Sequence, residues 1–157
     1  MKIVTALSLL MPLLANAMAP EQQIWNIVDR NDKNALAAFL GEGKNPLASA
    51  RGKLGRTLLH DCARNFKPSL IPLLVAAGAD VNDCNNAWHT TPLMEAVNST
   101  PMKSTGQNET VSLLLALNAD PTIDNNRGQS VLEIARLYGA DRDFVPELKV
   151  YIHNYKK

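Results

Sequence analysis

The chain has 157 residues, of which 46% are hydrophobic and 20% charged, enough for one domain or a short array and too apolar for global disorder. Lys plus Arg is 16 against 15 for Asp plus Glu, a net charge of +1, which excludes a protein held to nucleic acid by overall basicity. Two Cys cannot build a disulfide-dense scaffold or a four-thiolate zinc site. No apolar run is long enough to span a membrane.

The first segment reads as an address. Lys2 precedes an apolar stretch from Ile3 to Leu14, broken by Thr5, Ser8 and Pro12, and Ala15-Asn16-Ala17 supplies small residues where a signal peptidase cuts. As a helix this stretch reaches roughly 18 Å against about 30 Å of hydrocarbon, so it cannot anchor the chain by spanning. The pattern predicts a signal peptide over 1–17, cleavage after Ala17 and a periplasmic location in a bacterial cell. The rest, 18–157, forms one unit of organisation.

That organisation is a repeat. Gly55-Arg56-Thr57-Leu58-Leu59-His60-Asp61-Cys62-Ala63, His89-Thr90-Thr91-Pro92-Leu93-Met94-Glu95-Ala96-Val97 and Gly128-Gln129-Ser130-Val131-Leu132-Glu133-Ile134-Ala135-Arg136 share a hydroxyl residue, then apolar residues, then small ones. Leu73-Leu74-Val75-Ala76-Ala77-Gly78-Ala79-Asp80-Val81-Asn82 recurs as Leu113-Leu114-Leu115-Ala116-Leu117-Asn118-Ala119-Asp120-Pro121-Thr122, with a weaker copy at Ala37–Pro46. Thr57 to Thr91 is 34 residues, Thr91 to Ser130 is 39, and Gly78 to Asn118 is 40. One insertion of about six residues between Val97 and Leu113 explains both longer spacings. Thr57, Thr91 and Ser130 suit helix starts, Pro92 suits a first turn, and Gly78 and Asn118 suit left-handed helix ends. Asn85-Asn86 and Asn125-Asn126, near His89 and Gly128, suit hairpin tips.

A period near 33 with Thr57 three places before His60, Thr91-Pro92-Leu93, and Gly78-Ala79-Asp80-Val81-Asn82 resembles the ankyrin repeat. The resemblance covers about residues 21–153. It implies an all-α solenoid of antiparallel helix pairs joined by hairpin-like loops, in four units over about 20–50, 51–84, 85–124 and 125–153. Met94 in place of the motif His, and Ser130-Val131-Leu132-Glu133 in place of Thr-Pro-Leu-His, depart from the family pattern and put the local caps in doubt.

No Ser-His-Asp order, phosphate loop or paired-carboxylate constellation stands out, so no enzyme and no cofactor is expected. Glu95 and Glu133 read as solvated or cap-related groups at equivalent places. An alternative reading, a metal-handling or redox protein, would use His60, Cys62, Cys84 and His89. Against it, residues at i and i+2 of a helix point to different sides, and the resemblance implies that His60 bonds backbone at the hairpin base. The Cys62–Cys84 disulfide stays undecided, as does glycosylation at the sequons Asn98-Ser99-Thr100 and Asn108-Glu109-Thr110. The insertion Asn98–Asn108 holds Pro101 and Gly106 with little apolar content and is expected to be a surface loop whose residues 102–107 could be deleted cheaply.

The resemblance implies a protein-binding module that is monomeric when unbound. Its contact positions would be Lys53, Leu54 and Arg56, then Trp88 and Thr90, then Arg127 and Gln129 on the tips, and Arg64, Asn65, Asn98, Ser99, Leu137 and Tyr138 on the helices. Trp88 is the first candidate hot spot. Between positions 44 and 67 lie Lys44, Arg51, Lys53, Arg56, Arg64 and Lys67, with Asp61 the single acid. That run predicts a basic N-terminal half of the groove and a partner with an acidic patch. An inhibitor or immunity protein against a periplasmic toxin enzyme is the narrower version. Neither nucleic acid nor membrane insertion is expected.

Overall fold

The computed structural model describes residues 18–98 and 105–137 together with positions 148, 150, 151 and 153. The signal segment 1–17 and Tyr138 lie outside the described residues. Helices come in pairs: α1 (Pro20–Asp29) with α2 (Lys33–Leu40), α3 (Leu58–Arg64) with α4 (Ile71–Ala76), and α5 (Pro92–Asn98) with α6 (Thr105–Ala116). A seventh helix, α7 (Val131–Leu137), is followed by the helical positions 148, 150, 151 and 153. Among the described residues there are no strands, only isolated bridges Arg51–Thr57 and Asp124–Ser130 at the hairpin bases.

Four helix starts carry side-chain caps. Asp32 caps α2 by accepting from the Ala35 N–H at 2.9 Å. Thr57 and His60 form a reciprocal cap on α3. At α5 only half of that cap remains, the Met94 N–H donating to Thr91 Oγ1 at 3.3 Å. At α7 the departure from the motif is itself a capping box: the Ser130 N–H donates to Glu133 Oε2 at 2.8 Å, and the Glu133 N–H points back to Ser130 Oγ at 3.4 Å. The doubt about that cap is thus resolved by chemistry, a carboxylate standing in for an imidazole. Glu133 is the fourth residue of its motif and Glu95 the fifth, so the two are not equivalent.

The helix ends repeat as closely as the starts. Ala79 N–H donates to Leu74 O at 2.9 Å and Gly78 N–H to Val75 O at 3.0 Å, with Gly78 at φ 99°. Ala119 to Leu114 and Asn118 to Leu115, both 3.0 Å, copy it with Asn118 at φ 65°.

Ile24 and Val28 of α1, Leu36 and Leu40 of α2, and Leu58, Leu59, Leu74, Leu93, Leu114 and Leu115 of the later pairs are buried in one continuous core. Each fully buried Leu or Ile contributes about 2 kcal/mol. Small residues Cys62, Ala63 and Ala96 at the packed faces let α3 lie on α5 and α5 on α7. The first helices of successive units therefore form one wall, and the hairpin tips form the other.

The expectation for the insertion changes. The insertion is not all loop: α6 begins at Thr105, and Gln107 is buried, its Nε2 donating to Ala96 O at 2.8 Å and Val97 O at 3.4 Å. It bonds the last-turn carbonyls of α5, so cheap deletion through Gln107 does not follow. Asn108 falls inside α6, and the Thr110 that completes its sequon is fully buried, donating to Gly106 O at 2.6 Å. At the C-terminus, Leu148 is buried and the Tyr151 hydroxyl donates to Leu115 O, whereas Val150 is 62% exposed.

Candidate partner-binding groove

The tips are built by side chains that bond their own turns. Asn86 Oδ1 accepts from the N–H groups of Trp88 and Thr90, both at 3.1 Å, and Asn125 Oδ1 accepts from those of Arg127 and Gln129 at 2.9 and 3.0 Å. Positive φ recurs at Gly55 (78°), His89 (52°) and Gly128 (69°), so His89 fills a glycine place in the turn. Adjacent tips are stitched by backbone bonds, Ala87 N–H to Leu54 O at 3.0 Å and Asn126 N–H to Trp88 O at 3.1 Å.

His60 ties α3 to the next hairpin. Its Nδ1 accepts from the Thr57 N–H at 3.2 Å and lies 2.8 Å from Thr57 Oγ1. Nε2 lies 2.8 Å from Thr90 O. An acceptor at Nδ1 and a carbonyl at Nε2 define the neutral, Nε2-protonated tautomer. Burial lowers the pKa of His60, offset in part by the bond to Thr90. Both nitrogens are used, so His60 is not a ligand. Burial likewise pushes the Cys62 thiol up to about 12, and Cys62 and Cys84 are both free thiols. No three of His60, Cys62, Cys84 and His89 gather as a metal-binding group among the described residues. His60 and Cys62 thus serve the packing of α3 and its bond to the next hairpin.

The centre of the groove is a charge cluster that sequence reading missed. Glu95 is 1% exposed. Its Oε1 takes Arg56 Nη2 at 3.1 Å and the Thr90 hydroxyl at 2.9 Å, and its Oε2 takes Arg64 Nη1 at 3.0 Å. The guanidinium of Arg56 also stacks on Trp88, 4.7 Å from the ring centroid. Glu95 is thus neither solvated nor a cap. The available signal was register: counted from Thr91 it sits one place past the cap, on the wall facing arginines of the preceding unit.

The basic run is mostly engaged. Arg51 pairs with Asp83 at 2.5 Å, Arg56 and Arg64 with Glu95, and Lys67 Nζ donates to Val28 O at 3.0 Å, capping α1. Of the expected contact residues, Lys53, Leu54 and Arg127 are exposed, and the Asn65 side chain donates to Asp61 O at 3.0 Å. Gln129 is half-buried, accepting from Asn125 Nδ2 at 3.1 Å. Trp88 is half-buried, and Thr90 is buried rather than offered at a tip. A groove of about 320 Å³ opens between tips and helices, with Trp88, Met94, Asn98, Arg127, Gln129 and Leu137 among its walls. Leu137 is 66% exposed there.

A family model for ankyrin repeats (3 copies) matches residues 23–125 and 59–149. An ADP-ribosylation factor GTPase-activating protein, AGD2, of Arabidopsis thaliana is 33% identical over 114 residues, which are 73% of this chain and 13% of that relative. The chain therefore spans a small part of the relative's length. With the family model matched over most of the chain, and the paired helices, caps and tips described above, this protein belongs to the ankyrin-repeat family.

Proposed function

We propose that the array is a non-enzymatic protein-binding module that grips a partner in the groove between hairpin tips and first helices. One observation carries this reading: the groove joins Trp88, its ring fixed by Arg56, to the exposed Leu137 and to Arg127, whose guanidinium makes no bond among the described residues. A fixed aromatic beside apolar surface and a free cation is the composition of a binding hot spot. An acidic group of the partner belongs at Arg127, because Arg51, Arg56 and Arg64 are held internally. The test is a photo-crosslinking residue placed at Arg127 or, as control, at the exposed Glu109 on α6. A saturable crosslinked complex is expected from position 127 alone, and weakened by Trp88→Ala. Equal crosslinking from both positions rejects the groove.

Export belongs to the same reading. A cut after Ala17 removes no residue of α1, which starts at Pro20, and keeps Met18, whose carbonyl accepts from Gln23 Nε2 at 2.7 Å. Periplasmic protein should begin at Met18 and sediment as a monomer; intact Met1 in the cytosol would reject export. The narrower role is an inhibitor or immunity protein covering a toxic periplasmic enzyme, supported by the signal-like pattern from Lys2 to Ala17. In that role its deletion should sensitise the cell to one enzyme of its own envelope, and an unchanged deletion strain rejects it.

A further inference from the structure

The groove continues past Arg56 into a second well of about 590 Å³ between α1, α3 and the first tip. Arg56 lines both wells, and each holds one of the chain's two tryptophans, Trp25 here and Trp88 in the first. Trp25 lies against the backbone of Gly52, where an added Cβ would sit 2.8 Å from its ring.

The two wells differ in charge. Glu21, Asp29 and Asp61 line the Trp25 well, and none forms an ion pair among the described residues. Of the cations there, Arg51 is taken by Asp83 and Arg56 by Glu95, which leaves Lys53. In the Trp88 well the one carboxylate is Glu95, already shared between Arg56 and Arg64, which leaves Arg127 in excess. The expected basic N-terminal half is therefore inverted on the groove wall, negative toward α1 and positive toward α7.

Resting on the protein-binding reading, we propose that the occupant is one extended segment of a partner polypeptide, its basic end in the Trp25 well and its acidic end on Arg127. Apolar side chains between them lie over Trp88 and Leu137. Charge complementarity fixes the direction, since the reversed segment would set like charges together at both ends. The wells are about two helix-packing distances apart, roughly 20 Å, so base and acid are spaced by about six residues of extended chain.

The test selects random dodecapeptides displayed on phage against the purified full chain, then measures the winners by fluorescence anisotropy. Winners should carry a basic and an acidic residue about six positions apart. Arg127→Glu should weaken binding about tenfold and be rescued by changing the peptide's acid to Lys. Asp61→Lys should weaken it similarly and be rescued by changing the peptide's base to Glu. Both effects should shrink in high salt, with unchanged circular dichroism. Winners of one charge sign, no winners, rescue at the wrong end, or self-association of the chain abolished by Arg127→Glu each overturn the proposal. If position 127 still crosslinks a partner in those cases, the binding groove stands and only the bipolar segment falls.

Discussion

Two buried polar side chains set what single substitutions should do. Glu95 balances two guanidiniums on one wall, and Arg56 keeps only part of its surface in water. Glu95→Ala leaves Arg56 half-buried without its acceptor, while the more exposed Arg64 can turn to solvent. The expected loss is about 2 kcal/mol in urea unfolding, and a loss near zero would mean the cluster is solvated. His60 gives a pH signature. Its folded pKa lies below the ordinary 6.5, so between the two values the unfolded chain binds a proton that the folded chain refuses. Its contribution is present above about 6.5 and is lost as pH falls through the folded value. Urea midpoints measured from pH 7 to pH 5 should fall more steeply for the wild type than for His60→Gln. Parallel curves would show that His60 is freely solvated.

At the scale of helices, α5 is completed from outside itself. Its last-turn carbonyls at Ala96 and Val97 are taken by Gln107 of α6. Gln107→Ala should cost about 1–2 kcal/mol, a fall of a few degrees in melting temperature for a chain of this size. Deleting 102–107 should cost more, and a deletion that melts like the wild type would show that the cap is dispensable. This contact also marks where the sequence stops being legible. Helix starts and stops were readable because their partners lie three to five residues away, as at Thr57–His60 or Gly78–Val75. Gln107 and Glu95 looked like surface residues because the carbonyls that Gln107 bonds and the arginines that Glu95 pairs with lie 10 to 39 positions away, across a helix pair or a repeat. Groove polarity failed for the same reason. The run from Lys44 to Lys67 is basic in sequence, but Asp83 at the end of the same unit and Glu95 of the next neutralise its arginines in space.

As a whole the chain is a stack, and stacks are vulnerable at their ends. Leu148 is fully buried and Tyr151 bonds Leu115 of α6, so the last helical positions cover the apolar side of the third pair. Truncation after Asp141 should uncover Leu115 and its neighbours and yield aggregated protein on gel filtration. A soluble monomer with one cooperative melt would show that the cover is not needed.

The stitching of the tips has a consequence in time rather than in space. Ala87 and Asn126 sit in solvent, yet their N–H groups are bonded across units to Leu54 and Trp88. An exposed turn normally trades its amide hydrogens with water almost at once. These two should exchange only when one unit peels from the next, and so at rates shared with the helices behind them. Their clocks would time the opening of the groove itself, from the rim that a partner would have to cross.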